Sequence, residues 1–393
     1  MSNIDALLIT PPSRLEVYQG LSDNYAAIEP PVWSSLIAKY LIKKGYAAQI
    51  LDAEAENFTH ERTAKKIISI NPQLAIFMIY GQQPSASTQC MPGGKKTCDK
   101  LNSLSSNSIK TIVVGTHASA LPKKTLEEEP YDFVCQGEGP ITIAKLVDHI
   151  KNNKTKLENI PGLWYWDKEA KVKSNKYSPM FEDLDRDLPG QAWELLDMSK
   201  YKAHNWHTFG TLKSRKHYAS LQTSLGCPFK CTFCCINAPF ERNTIRFWSP
   251  KHIINQIKIL VEDYNIYNIK IPDEMFVLNP KQVTGICDEI ISRGYGKKLN
   301  FWAYARIDTL EDNEMLKKMA KAGIKWLGLG IESSSKHVRD GVIKGRFDNH
   351  DIEGIVKKVR DMGFYVSANY IFGLPDDNKD SIKETLDLSV RIN

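Results

Sequence analysis

Ser224-Leu225-Gly226-Cys227-Pro228-Phe229-Lys230-Cys231-Thr232-Phe233-Cys234-Cys235 holds four of the chain's eight cysteines within nine residues. Cys227, Cys231 and Cys234 stand in C-x3-C-x2-C spacing. One short loop can then bring three thiolates to an iron–sulfur cluster and leave one iron open to a substrate or cofactor. Zinc is the plainer alternative, but a structural zinc site takes four ligands, often as two separated pairs. Cys235 is the available fourth ligand, yet adjacent side chains converge poorly on one ion. The spacing therefore points to iron–sulfur before zinc. Cys90, Cys98, Cys135 and Cys287 are scattered and read as buried thiols.

Working outward, the cysteine loop follows a strand expected at 218–225. Further strands are expected at 267–272, 299–305, 325–331 and 364–372, and helices near 251–264, 280–293, 309–322, 349–362 and 378–391. Five βα units suit a (β/α) barrel or part of one, with its site at the carboxyl ends of the strands. The chain stops at Asn393 after the fifth helix, so the barrel is expected to be partial, truncated before a sixth strand.

Toward the N-terminus, Ile4–Thr10, Ala48–Leu51, Leu74–Ile79, Thr111–Gly115 and Tyr131–Cys135 are continuous apolar runs. Helices are expected between them, at 32–44, 60–70 and 140–151 and in the polar stretch before Thr111. The first carries Trp33, Leu36, Ile37, Tyr40 and Leu41 on one face and stops at Gly45. Strands without alternation imply a parallel sheet covered on both faces. Ligands of such sheets sit beyond the strands' carboxyl ends, here Thr10-Pro11-Pro12, Tyr80-Gly81-Gln82, Gly115-Thr116-His117 and Gln136-Gly137-Glu138-Gly139.

Residues 152–212 read as a linker, with one short strand suggested by Gly162-Leu163-Trp164-Tyr165-Trp166. His204, His207 and His217 lie close together, but without a helical i,i+4 pair they read as packing and hydrogen-bonding groups before metal ligands. The expected domains are thus 1–151, a linker 152–212, and 213–393.

Composition narrows the classes further. The 393 residues are 42% hydrophobic and 25% charged with a net charge of +6, which excludes disorder and leaves no basic cluster for a nucleic-acid groove. No apolar run reaches membrane-spanning length, and Met1-Ser2-Asn3-Ile4-Asp5 shows no secretory signal. The expectation is a cytoplasmic protein with reduced thiols and neither nucleic acid nor membrane as a partner.

The motifs together resemble the radical S-adenosylmethionine (SAM) superfamily. Cys227-x3-Cys231-x2-Cys234 has an aromatic residue, Phe233, before its last cysteine, and the later strand ends continue the likeness. These ends are Pro272-Asp273-Glu274-Met275, Tyr304-Ala305-Arg306, Gly330-Ile331-Glu332-Ser333 and Phe372-Gly373-Leu374-Pro375. The N-terminal sheet and the linker extend the likeness to the cobalamin (B12)-binding radical SAM class over essentially the whole chain. The implied fold is α/β: a Rossmann-like, flavodoxin-like B12 domain followed by a partial TIM-type radical SAM barrel.

The resemblance implies a [4Fe–4S] cluster on Cys227, Cys231 and Cys234. It implies SAM near Phe233, Asp273, Glu274, Arg306, Glu332, Ser333 and Gly373. Glu274 or Asp273 would meet the SAM ammonium, Arg306 its carboxylate, and Glu332 and Ser333 the ribose. Cobalamin is implied near Gly115, His117, Gly137, Glu138 and Gly139. The Asp-x-His-x-x-Gly motif by which many B12 domains supply a histidine to cobalt is absent, and His117 lies in a loop of a different pattern.

In this class SAM is cleaved by a one-electron reductant, such as a flavodoxin or ferredoxin, to a 5′-deoxyadenosyl radical. Methylation of a small-molecule or natural-product carbon is the expected outcome, with radical cyclisation or rearrangement as the alternative. A radical SAM enzyme without cobalamin fits less well, because the N-terminal sheet has glycine-bearing ends and no second cysteine triad is present. A non-enzymatic redox or B12 sensor lacks a recognisable output domain. A dinucleotide-dependent dehydrogenase lacks the G-x-G-x-x-G fingerprint after the first strand.

Overall fold

The computed structural model describes residues 4–22, 25–81, 83, 86–106, 108–203, 216–344 and 351–392. His204 and His207 lie outside them. Contacts divide the chain into two units, Met1–Trp206 with Cys235–Arg242, and His207–Cys234 with Asn243–Asn393.

In the first unit the five continuous apolar runs form β1 (Ala6–Thr10), β2 (Ala48–Asp52), β3 (Leu74–Ile79), β4 (Lys110–Gly115) and β5 (Phe133–Cys135). All pair in parallel, in the order β2-β1-β3-β4-β5. That is the flavodoxin-like order, whose switch point lies between β1 and β3. Every residue of β3 is buried, because helices cover both faces and leave no solvent side to be polar. Leu7, Ile9, Phe77, Ile79, Val113 and Val134 form the centre of one core layer.

The stretch expected as linker is more ordered than its sequence suggests. Strands β6 (Leu163–Trp166) and β7 (Val172–Ser174) extend the sheet antiparallel beyond β5. Their half-exposed edge position carries only a weak apolar signal, which is why periodicity does not reveal β7. The eight residues Cys235–Arg242 pack with this first unit. Within it the Phe240 ring lies 6.3 Å from that of Trp33, and the Tyr177 hydroxyl donates to the Ala238 carbonyl.

The second unit is built on a five-stranded parallel sheet in the order β14-β13-β12-β11-β8. Its strands are β8 (Ala219–Ser220), β11 (Asn268–Ile271), β12 (Asn300–Ala305), β13 (Ile324–Glu332) and β14 (Tyr365–Tyr370). Helices Pro250–Glu262, Pro280–Ser292, Asn313–Ala322 and Ile352–Asp361 link successive strands, and Lys379–Arg391 follows β14. Ser249, Asn279, Asp312, Asp351 and Asn378 cap the five N-termini by accepting from backbone N–H groups of the first turns.

The single strand expected at 218–225 is two strands. Leu221 N–H still donates to the Lys270 carbonyl of β11 at 2.9 Å. Two residues later the Thr223 N–H goes to the Asp273 carboxylate at 2.8 Å instead of to a neighbouring strand. The chain then leaves the sheet as β9 (Ser224–Gly226), which pairs antiparallel with β10 (Ile245–Phe247). No helix among the described residues is long and apolar enough to cross a membrane.

Candidate functional site

The sheet of the second unit ends in a connected group of charged and aromatic side chains around the cysteine loop. Gly226, at φ +89°, turns the chain out of β9 and into that loop. Cys227 is buried, Cys231 half-buried and Cys234 exposed. Burial, with Glu274 and Cys231 nearby, pushes the Cys227 thiol up to about 11, while Arg306 opposes the shift. A metal must therefore displace the proton to bind there. The loop is closed by Cys234 N–H donating to the Cys231 carbonyl at 3.1 Å and Thr232 N–H to the Val342 carbonyl at 3.0 Å.

Two cations face the loop's two phenylalanines. The Arg306 guanidinium lies 3.9 Å from the centre of the Phe229 ring, and Lys344 Nζ lies 5.9 Å from that of Phe233. Arg306 is also paired with Asp308, at 3.0 and 3.2 Å, and donates to the Lys344 carbonyl at 2.9 Å. Lys344 in turn pairs with Glu332, and both side chains are only 8% exposed. Glu332 adopts φ +67° at an irregularity in the β13–β14 register, a conformation that a non-glycine residue rarely takes without tertiary support. Gly330 makes room for the pair: a Cβ there would lie 2.7 Å from Glu332 Oε1 and 3.0 Å from Lys344 Nζ.

The sequence-predicted SAM residues thus separate into two sets. Phe233, Arg306 and Glu332 belong to the connected group, with Glu274 close enough to Cys227 to raise its thiol. Asp273 does something other than expected. Its fully buried carboxylate accepts from Thr223 N–H at 2.8 Å, Thr223 Oγ1 at 2.6 Å and Ser224 Oγ at 2.5 Å, which spends it on anchoring the start of the cysteine segment. Burial still raises its carboxyl to about 6, against the lowering effect of those hydrogen bonds.

Ser333 is likewise engaged elsewhere. Its hydroxyl lies 3.2 Å from Thr385 Oγ1 and accepts from Ser335 N–H at 3.2 Å. Gly373, at φ +84°, donates its N–H to Asp377 at 2.9 Å, and no described atom lies within 4 Å of where its Cβ would be. Sequence reasoning missed Lys344, Phe229 and Asp308, since a lone lysine in Val342-Ile343-Lys344-Gly345 carries no periodic or motif signal.

Among the described residues no three His, Cys, Asp or Glu side chains gather around one point as a single ion would require. A cubane makes a different demand, because each of three thiolates ligates a different iron. Three thiols on one eight-residue loop, flanked by buried cations, fit that demand better than they fit zinc.

In the first unit the ends of β4 and β5 are rich in glycine. Gly115 ends β4, where a Cβ would lie 2.3 Å from the Ile79 carbonyl oxygen of β3. The following His117 donates its N–H to Ser87 Oγ at 3.2 Å, and its Nδ1 lies 2.9 Å from Thr88 Oγ1. Burial, with Lys124 adding to it, lowers the His117 imidazole below its ordinary value. After β5, Gly137 (φ +129°) donates to Ser119 Oγ at 3.1 Å, and Gly139 (φ +101°) precedes the helix Pro140–Asn152 with Ile37 and Val114 against it. Glu138 between them is 5% exposed.

The switch point brings two of the strand ends expected to face a ligand, Thr10 and Tyr80, together with Trp33, which the sequence placed on the apolar face of its helix. Thr10 Oγ1 ends β1, Tyr80 Oη follows β3, and Trp33 Nε1 stands one residue into helix Val32–Lys43. All three are buried polar atoms without a hydrogen-bond partner among the described residues. The Trp33 and Tyr80 rings stack at 5.4 Å with planes 9° apart. Buried polar atoms left without a partner at a switch point fit a polar ligand that completes their hydrogen bonds.

Comparison with known proteins agrees with both halves. The family model described as the radical SAM superfamily matches residues 221–389, and that of the B12 binding domain matches residues 18–147. An uncharacterized methyltransferase of Pyrococcus horikoshii is 26% identical over all of this chain and 79% of its own length. The anaerobic magnesium-protoporphyrin IX monomethyl ester cyclase of Rubrivivax gelatinosus is 26% identical over 91% of this chain. The chain spans 61% of that cyclase.

Among solved structures, the cobalamin-dependent SAM radical enzyme OxsB superposes with a TM-score of 0.75 at 20% identity, over 98% of this chain and 51% of OxsB. The radical SAM methyltransferase TsrM of Kitasatospora setae gives 0.73 at 16% identity, over 98% of this chain and 71% of its own. These likenesses establish the fold.

Proposed function

Because the chain belongs to the radical SAM proteins that carry a B12-binding domain, we propose that it is a cobalamin-dependent radical SAM enzyme that methylates a carbon of a small molecule. The observation that carries the reading is the cysteine loop at the mouth of a parallel βα sheet, held between buried Arg306 and Lys344. When bound, a [4Fe–4S] cluster with SAM supplies a 5′-deoxyadenosyl radical, and cobalamin supplies a transferable methyl group.

The chain's own residues have the following roles. Cys227, Cys231 and Cys234 hold the cluster as thiolates. Glu274, which lies near Cys227, accepts from the SAM ammonium. Glu332 faces the nucleoside side, already turned inward by its left-handed backbone. Arg306 keeps the loop in place and its charge near Cys227, while Asp308 matches that charge. The sulfonium and ammonium of SAM need a site with net negative potential, which the thiolates and Glu274 provide. Trp33, Thr10 and Tyr80 offer hydrogen bonds to cobalamin, and Gly115, Gly137 and Gly139 let it approach the backbone. A small-molecule substrate and an external one-electron reductant complete the scheme.

The cyclases among the relatives favour a second outcome on the same cofactors, radical ring closure. The test is anaerobic reconstitution with iron, sulfide and hydroxocobalamin, followed by reduction in the presence of SAM. Four irons and one cobalamin per chain, with 5′-deoxyadenosine and S-adenosylhomocysteine formed, support methylation. Release of 5′-deoxyadenosine alone supports the cyclase reading. Bound cofactors without SAM cleavage overturn both.

A further inference from the structure

Lys344 is the buried cation that no motif assigned, and its surroundings say what it does. Its ammonium is 8% exposed on the side chain and paired with Glu332, so it is not a solvated surface charge. The pair rests directly over Gly330, the only residue type that leaves both charged atoms room. On its other side the ammonium faces the Phe233 ring at 5.9 Å, and Phe233 directly precedes Cys234. Its carbonyl accepts from Arg306, which stacks on Phe229 two residues before Cys231. Both aromatic residues of the cysteine loop are thus met by cations, and those cations are joined to each other through one backbone carbonyl.

We propose that Lys344 is a positioning residue that ties the left-handed turn at Glu332 to the cysteine loop and places a fixed positive charge beside the cluster. This rests on the iron–sulfur reading above. A [4Fe–4S] group with three thiolates carries net negative charge, and reduction adds one more electron. A buried ammonium close by therefore favours the reduced state and raises the potential. It does so without touching iron, since its hydrogen-bonding capacity goes to Glu332.

The experiment uses the full chain and five proteins: wild type, Lys344→Met, Lys344→Arg, Glu332→Gln, and Lys344→Met combined with Glu332→Gln. Thermal unfolding of the cluster-free proteins comes first. Lys344→Met leaves a buried carboxylate unpaired and lowers the folded-to-unfolded ratio by about a hundredfold. The double variant recovers most of that loss because the orphaned charge is gone, so it also serves if the single variant folds poorly. The second readout is the midpoint potential of the reconstituted cluster, titrated by its reduced-state electron paramagnetic resonance signal.

At a fixed potential the reduced-to-oxidised ratio is expected to fall about tenfold in Lys344→Met, equivalent to about 59 mV for one electron, and by less in the double variant, where loss of the Glu332 charge offsets loss of the ammonium. Lys344→Arg, which keeps the charge, stays near wild type. A purely structural lysine would change stability and leave the potential alone, and that outcome overturns the proposal. So does an additive unfolding cycle. A wild-type chain that takes up no iron overturns the functional reading itself, which is distinguishable because the unfolding cycle needs no cluster.

Discussion

The two parallel sheets of this molecule end in opposite ways. At the carboxyl ends of β1, β3, β4 and β5 stand glycines, hydroxyls and the Trp33–Tyr80 stack, with polar atoms left unsatisfied. At the ends of β11, β12 and β13 stand Asp273, Arg306 and Glu332, all buried and all already partnered. The first sheet presents unmet hydrogen bonds, the second a finished electrostatic frame. The difference teaches what each ligand demands. A large neutral-faced cofactor needs backbone access and donors, whereas a loop of thiolates beside a sulfonium needs charges held still in low dielectric.

The largest test of this contrast is removal of the frame's purpose. Cys227→Ala, Cys231→Ala or Cys234→Ala each abolishes iron retention and the brown chromophore, measured by iron analysis after reconstitution. Cys235→Ala retains full iron, and loss of iron from that variant alone would reassign the ligands. Next, Asp273→Ala strips Thr223 N–H and two hydroxyls of their common acceptor. It should cost about 2–4 kcal/mol in the second unit's stability and lower iron occupancy, read by thermal unfolding and iron content. Unaltered iron in a folded Asp273→Ala chain would show that the anchor is not needed.

The first sheet responds differently. Gly115→Ala drives a methyl group against the Ile79 carbonyl. Cobalamin retention should fall about tenfold or more while iron content stays at wild type, checked by absorbance after desalting. A parallel fall in iron would erase the distinction between the two ends.

The smallest effect concerns Asp52, which ends β2 and accepts from the Tyr201 hydroxyl at 3.1 Å. Burial holds its carboxyl up at about 7, so the folded unit keeps a proton that the unfolded chain releases near pH 4. Stability from this group is full below pH 4 and is lost as pH rises through about 7. Asp52→Asn flattens that slope, seen as a melting temperature that no longer declines between pH 4 and 7.

Much of this was legible in the residues themselves. Leu74–Ile79 reads as a strand buried on both faces because six consecutive apolar residues admit no solvent side, and its observed bounds match. The helices expected near 251–264 and 280–293 are observed at Pro250–Glu262 and Pro280–Ser292. The 218–225 strand misled because apolar content does not reveal that Asp273, fifty residues away, will capture Thr223 and end the pairing. The same long-range contact turned a presumed ligand contact into an anchor.

What sequence alone determined is therefore whatever depends on local order: the βα alternation and the three cysteines in C-x3-C-x2-C spacing. Tertiary structure decided which charges meet. Glu332 and Lys344 are twelve residues apart, and Arg306 meets the Lys344 carbonyl across thirty-eight. Local periodicity carries no record of such pairings, because they exist only once parallel strands place their ends side by side and burial forces every charge to find a partner.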